Sequence, residues 1–215
     1  MSLIQANTGL VQDRSSFIGK VYSMLGVSLL FCCAGALYGL SMPTGLYLPM
    51  IIAEFILLFA CLGLRRSYPI NFVLLFAFTT VSGLTLGPVL NAYVMHGLGS
   101  LIPVATGVTA VTFGGLSLYV HISKKDFSFL GGALFVGLLG MILVGLIGMF
   151  VHLPITGVMY SGFGVLLFSG YILYDTSNLI RRYDDTDVIP ATLALYLDMV
   201  NLFLMVLRLL SGNRR

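Results

Sequence analysis

Seven long runs of apolar residues limit what this chain can fold into more than any other feature. Each run holds 19 to 26 residues, which suits a helix that crosses a hydrocarbon core about 30 Å thick. Only 9% of the residues are charged, whereas a soluble domain has about a quarter. We therefore expect an all-α membrane protein with seven transmembrane helices, at residues 17–40, 46–64, 70–94, 101–122, 127–151, 155–180 and 190–210.

Basic residues in the loops predict how these helices are oriented, because Lys and Arg accumulate on the cytoplasmic side. Arg14 and Lys20 flank the first run. Basic pairs follow the second, fourth and sixth runs, at positions 65–66, 124–125 and 181–182. The loops after the first, third and fifth runs contain neither Lys nor Arg. The pattern therefore places the N-terminus in the cytoplasm.

The connections between the runs are short, so we expect no inserted soluble domain. The sequence predicts an N-terminal cytoplasmic tail at residues 1–16, a single transmembrane domain at 17–210, and a short basic C-terminal tail at 211–215. Seven crossings would leave that basic tail outside, and a re-entrant last segment would return it inside. Both arrangements stay open at this point.

Two aspartates lie inside the last two apolar runs, where an ionised carboxylate is costly and usually serves a function. Asp175 comes six residues before Arg181 and so lies about 9 Å below the loop that joins the two helices. Asp198 comes eight residues after Pro190 and lies about 12 Å below the same loop. Two antiparallel neighbours would hold both carboxyl groups at nearly one depth, so the sequence predicts a pair.

A carboxyl pair of this kind has two chemical states. Two carboxylates at close range cannot both ionise cheaply, and their protons leave in coupled steps. With one shared proton the pair ties two helices together; fully ionised, it repels or binds a hard cation through oxygen. The pair is therefore a candidate pH-controlled latch and cation site. In the alternative interpretation, each aspartate separately caps the backbone or bonds a nearby Tyr or Asn.

Polar residues line one face of each of these two helices. In the seventh run, Asn201 and Arg208 lie within about 80° of Asp198 around the helix. In the sixth run, Tyr171 and Asn178 share the face of the other aspartate. A polar stripe in a membrane helix faces protein or water rather than lipid. We therefore expect the seventh helix to be central and surrounded by the other six.

Three more charged residues are candidates for a role in the membrane. Arg65, at the cytoplasmic end of the second run, either reaches one carboxylate and holds the entrance shut or only sets the topology. Glu54 lies eleven residues before Arg65, near the midplane, and needs a partner or a proton. An ion pair with Arg208 is one interpretation, although the depths differ by about 10 Å. A role for Glu54 in ion passage is the other.

Neighbouring glycines at positions 83 and 87, and at 114 and 115, are expected to let helices pack closely. We do not expect an enzyme. The chain lacks a Gly-x-Ser-Gly motif with a well-placed membrane His, and neither aspartate lies in a Gly-x-Gly-Asp context. No basic cluster indicates nucleic-acid binding, and no motif indicates a cofactor.

Two segments near the C-terminus carry a family resemblance. SGYILYDTSNLI and DVIPATLALYLDMVNLFLMVLRLL resemble the Bax inhibitor family, also called transmembrane Bax inhibitor motif proteins. Its members share a tyrosine-aspartate near the end of the sixth helix and a leucine-tyrosine-leucine-aspartate in the seventh. The Glu-to-Arg-Arg spacing of the second run and the KKDFSFLGG opening of the fifth are also similar to the family. The similarity covers nearly all of residues 17–210.

The resemblance implies seven helices, with the seventh enclosed by the rest. It also implies a pH-sensitive calcium leak that is controlled by Asp175 and Asp198, with Ca²⁺ held transiently by that pair. Arg65 matches the position of an arginine that latches onto the pair in bacterial relatives, and Glu54 and Arg208 match positions where relatives carry Glu and Arg. The minimal loops and short tail are similar to bacterial members, which implies the bacterial cytoplasmic membrane.

The expected function is therefore a calcium leak in which protonation of the aspartate pair favours the closed form. Two other classes stay open. A membrane scaffold would regulate a partner protein or a stress response without transporting anything. A proton-coupled transporter of small solutes would show substrate-dependent proton uptake, although the sequence has no obvious inverted repeat of the kind that many transporters carry.

Overall fold

The structure is a computed structural model that describes residues 2–148, 150–151 and 157–212. In this part of the chain the backbone forms seven α-helices and no strand, which confirms the all-α prediction. The helices are α1 (Ser2–Gly39), α2 (Tyr47–Gly63), α3 (Ile70–Met95), α4 (Leu101–Ser123), α5 (Gly131–Gly148), α6 (Gly157–Arg181) and α7 (Val188–Gly212). Short 3₁₀ turns at Thr44–Leu46 and Ser128–Leu130 precede α2 and α5.

Six of these helices are long and apolar enough to cross a membrane: α1 from Arg14 onward, and α3 to α7. The chain is therefore an integral, multi-pass membrane protein. Helix α2 is shorter, with 17 residues, or about 26 Å of helix. That length is at the lower end of what spans a bilayer. The length criterion thus confirms six of the seven predicted crossings.

Several helix ends differ by a few residues from the sequence-based bounds, and the differences at the two ends of the chain concern the predicted tails. The segment at 1–16 that the sequence predicts as a tail is helical from Ser2, as an extension of α1. At the other end, α7 continues through Gly212, two residues beyond the predicted run. The last three residues of the predicted basic tail lie outside the described part of the chain.

The helices are arranged in two compact units. The first comprises Met1–Gly99 and Arg182–Tyr196, and the second comprises Ser100–Arg181 and Leu197–Arg215. Helix α7 therefore contributes its N-terminal part to the first unit and its C-terminal part to the second.

In the first unit, α1 and α3 approach each other backbone to backbone. Gly35 and Gly39 of α1 meet Gly83 and Gly87 of α3, and a Cβ atom on any of the four would collide with the opposite backbone. Each pair has the Gly-x-x-x-Gly spacing that allows membrane helices to approach closely. The expectation that Gly83 and Gly87 serve close packing is confirmed.

The same expectation is wrong for Gly114 and Gly115 of α4, where an added Cβ would meet nothing within 4 Å. Both glycines are exposed, because the buried face of α4 lies elsewhere around the helix. That face recurs every three or four residues, at Leu101, Ala105, Thr109, Phe113, Ser117 and Val120.

Helix α6 organises the second unit, where it packs against α4, α5 and the 3₁₀ turn before α5. Two of its glycines accept neighbouring side chains: Gly170 faces Leu134 of α5, and Gly164 faces Met205 of α7. The missing side chains let α5 and α7 lie close to α6. These contacts place the polar part of α6 beside the C-terminal part of α7.

Candidate functional site

Four consecutive polar residues occupy positions 175–178 of α6, and all four are buried. Successive residues point in directions about 100° apart on a helix, so no single neighbour can satisfy all of them. The Thr176 hydroxyl lies 3.3 Å from the Ser117 hydroxyl of α4. The Ser177 hydroxyl accepts a hydrogen bond from the backbone N–H of Phe127 at 3.0 Å. The first residue of the quartet, Asp175, is within hydrogen-bonding reach of Asp198 on α7.

Asp175 and Asp198 lie close together between α6 and α7. Asp175 is 9% exposed and Asp198 is 5% exposed. Their carboxyl groups are within hydrogen-bonding reach of each other, and the side chain of Asn178 bonds to Asp175. Because two carboxylates contain no donor, the bond between them exists only while one of the two carries a proton.

Two buried oxygen atoms beside this pair lack a hydrogen-bond partner among the described residues: Oδ2 of Asp198 and Oδ1 of Asn178. Buried polar atoms are nearly always satisfied, so each such exception needs an explanation. Both atoms are acceptors, as are the remaining oxygens of the pair. The site can therefore take a proton, a water molecule or a cation.

The other two residues of the predicted polar stripes have different surroundings. Tyr171, one turn before Asp175, is half-buried and close enough to both aspartates to interact with them electrostatically. Asn201 uses its side-chain amide within its own helix, where it donates to the Leu197 carbonyl at 2.8 Å. Tyr171 thus belongs to the surroundings of the pair, whereas this bond of Asn201 is internal to α7.

The loop between α4 and α5 is attached to α6 directly beside the aspartate pair. Asp126 Oδ1 accepts hydrogen bonds from the Ser128 backbone N–H at 2.9 Å and from the Ser177 hydroxyl at 3.4 Å. The Ser128 bond is the main reason that the pKa of Asp126 is below its ordinary value, and the charge of Arg181 acts in the same direction. Arg181 also donates to the Lys124 carbonyl.

The sequence predicts a functional face that contains Asp175 and Asn178 and indicates no role for the two residues between them. The loop contacts of Ser177 are evident only in the structure. The usable signal was the quartet itself, since four polar residues in succession inside an apolar helix require partners on several sides.

Arg65 lies just beyond the end of α2, and its side chain is exposed. Its backbone carbonyl accepts a hydrogen bond from the side-chain amide of Asn71 at 2.9 Å. Arg65 and Asp185 line the same cavity. Its role as a latch on the aspartate pair stays a prediction.

Glu54 and Arg208 each contact a partner within their own unit. Glu54 is half-buried, and its Oε2 accepts a hydrogen bond from the Thr85 hydroxyl at 2.7 Å. The guanidinium of Arg208 lies over the ring of Tyr160, 5.0 Å from the ring centroid. These contacts offer each charge a local stabilising interaction, and an ion pair between the two also stays a prediction.

Comparison with known proteins identifies the family. A sequence profile described as “Inhibitor of apoptosis-promoting Bax1” matches residues 14–215. The chain belongs to the Bax inhibitor family. This membership confirms the resemblance that the aspartate motifs of the last two helices carry.

Three members of the Bax inhibitor family illustrate the similarity. Bax inhibitor 1 of Schizosaccharomyces pombe is 37% identical over 208 residues, which cover 92% of this chain and 77% of that protein. The BI1-like protein of Arabidopsis thaliana is 37% identical over 213 residues, which cover 93% of this chain and 81% of that protein. The Modulator of FtsH protease YccA of Escherichia coli is 34% identical over 211 residues, covering 94% and 95%.

Proposed function

We propose that this protein is a pH-sensitive calcium leak of the membrane, controlled by the protonation of Asp175 and Asp198. One observation carries the proposal: the buried carboxyl pair lies beside two unpartnered buried oxygens, on Asp198 and Asn178. The open positions of this intramembrane site are acceptor oxygens, and among the described residues no positive side chain is bonded to them, which suits a proton or a hard cation.

The charge state of the pair accounts for the pH response. With one shared proton, Asp175 and Asp198 form a hydrogen bond that ties α6 to α7, which is the closed form. When that proton leaves, the two negative charges repel each other. Two unit charges at a separation of about 4 Å repel by roughly 4 kcal/mol at an effective dielectric constant near 20. Separation of the helices or entry of a cation relieves this repulsion. Raised pH therefore opens the pathway.

Calcium suits such a site only as a transient ligand. Ca²⁺ takes six to eight oxygen ligands, and Asp175, Asp198 and Asn178 supply only part of that number. Water and backbone carbonyls complete the shell while the ion passes. Weak, incomplete coordination is what a conduction site requires, because the ion must leave as readily as it enters.

Several finer features belong to this proposal. Helix α7 is the central helix: 39% of the residues in its most apolar stretch are buried, against 11–33% in the other spans, which supports an interior position. Arg65 latches the closed form from the cytoplasmic end, and Glu54 and Arg208 form an intramembrane pair. The N-terminus lies in the cytoplasm, and the membrane is the bacterial cytoplasmic membrane, as the loop charges and short loops favour.

Calcium flux into proteoliposomes at stepped pH tests the proposal. The wild type should leak Ca²⁺ increasingly as pH rises. The variant Asp198→Asn should lose this response, because an amide donates permanently to Asp175 and cannot ionise. Asp184→Asn, which removes a carboxylate from the loop before α7, is the matched control and should respond like the wild type. An Asp198→Asn variant with the wild-type pH response would refute control of the leak by the aspartate pair.

The second candidate is a non-transporting regulator of a membrane-bound protease. The observation that favours it is the relative described as a modulator of FtsH protease, which matches 94% of this chain. Affinity purification of the full chain from its own membranes, followed by a degradation assay on any protease that co-purifies, tests this function. A protease whose activity changes on addition of the chain, together with calcium flux that is flat across pH, would favour regulation over transport.

A further inference from the structure

A cavity of 530 Å³ lies in the first unit, where α2 ends and α3 and α7 begin. Its volume is within the range of sites that hold small molecules. It lies at the ends of apolar helices, which is the level of the lipid headgroups. The residues that line it are Arg65, Arg66, Tyr68, Asn71, Phe72, Asp185, Thr186, Val188 and Ile189.

The cavity presents charges of both signs. Arg65 and Arg66 line it together with Asp185. Within the described part of the chain, these three side chains make no hydrogen bond or ion pair. Guanidinium groups suit phosphate oxygens, and a carboxylate suits an ammonium group. The lining is therefore complementary to a ligand with a phosphate at one end and an ammonium at the other.

The rest of the lining favours a lipid over a free solute. Phe72 and Ile189 give the cavity apolar walls. The side chain of Tyr68 is 80% exposed and packs edge-on against Phe72, with 5.8 Å between the two ring centroids. Beyond the cavity, the first turn of α3 exposes Ile70 and Val73, by 52% and 65%. A headgroup in the cavity would thus leave its acyl chains beside an exposed apolar helix face.

We propose that this cavity binds the phosphoethanolamine headgroup of a membrane phospholipid. The phosphate lies on Arg65 and Arg66, the primary ammonium donates to Asp185, and the acyl chains follow the exposed face of α3. Neither aspartate of the pair lines this cavity, and the proposal does not depend on calcium passage.

Native mass spectrometry on the full chain, delipidated in detergent micelles, tests the proposal. Phosphatidylethanolamine, phosphatidylglycerol and soluble O-phosphoethanolamine are titrated separately. The variant Arg66→Gln tests the proposed phosphate contact, and Asp185→Asn tests the proposed ammonium contact. Arg65 is left intact because it is the proposed latch. Lys125→Gln and Asp184→Asn remove the same charges from positions that do not line the cavity. Thermal unfolding verifies that each variant is folded.

The wild type should bind phosphatidylethanolamine about tenfold more tightly than phosphatidylglycerol, the difference that one charge-assisted hydrogen bond makes. Arg66→Gln should lower the affinity for both lipids about tenfold. Asp185→Asn should abolish the preference between them without weakening phosphatidylglycerol, a result that a merely structural role would not produce. The controls should bind like the wild type.

Three results would overturn the proposal. Equal binding of the two lipids by the wild type would show that the ammonium is not recognised. Variants at Arg66 and Asp185 that behave like their controls would place the lipid elsewhere. Soluble O-phosphoethanolamine that binds as tightly as the lipid would show that the acyl chains contribute nothing, and would contradict the assignment to a membrane phospholipid.

Discussion

The backbone-to-backbone contact between α1 and α3 gives a specific stability prediction, the effect of Gly83→Ala. A Cβ on Gly83 would lie 2.8 Å from the Cys32 carbonyl carbon and 2.9 Å from the Ala36 amide nitrogen, with the Cys32 oxygen closer still. Ordinary contact begins near 3.4 Å. Because all of these atoms belong to the backbone, no side chain can turn away, and α1 and α3 must separate by at least about half an ångström.

Overpacking of this kind costs about 2 kcal/mol, which lowers the melting temperature of a chain of this size by roughly 4–8 °C. Gly26→Ala is the matched control, since it adds the same methyl group to α1 where nothing lies within 4 Å. It should leave the melting temperature unchanged or raise it, because alanine favours helix. Both are measured by thermal unfolding in detergent micelles. Equal melting temperatures for Gly83→Ala and Gly26→Ala would refute the backbone-contact argument.

Further predictions concern polar groups. The pKa of Asp126 is lowered in the folded protein, so the ionised carboxylate stabilises the fold above about pH 4. This stabilisation is lost as the pH falls through the lowered pKa. Melting temperatures measured from about pH 4 downward should therefore fall less for Asp126→Asn than for the wild type. Thr85→Val removes the donor to Glu54 and should destabilise the protein by about 1–3 kcal/mol, whereas Thr85→Ser should not; equal unfolding of the two variants would contradict this. Arg208→Gln and Tyr160→Leu should show a coupling of about 1 kcal/mol in a double-mutant cycle, and additive effects would exclude the cation–π contact.

Part of the candidate site can be predicted from the sequence. Asp175 and Asp198 stand out as carboxylates in apolar runs, and counting residues from the connecting loop predicts similar depths for them. The partner of Glu54 was not predictable in this way, because many hydroxyl groups in α3 have suitable spacing and only the arrangement of α2 against α3 selects Thr85. A cavity that joins Arg65 to Asp185 brings together residues 120 positions apart and has no local signature.

The sequence by itself determined the class of protein, the approximate positions of the apolar helical runs and the family. These properties follow from runs of consecutive residues, since the preference for hydrocarbon over water is summed along a single helix. Only the tertiary structure decided which helix faces meet. Gly35 and Gly39 of α1 pack against Gly83 and Gly87 of α3, and the polar quartet of α6 contacts three different neighbours. Lipid tails are as apolar as the side chains, so hydrophobicity cannot choose between partners in a membrane. Shape and hydrogen bonding make that choice, and they exist only once the helices are assembled.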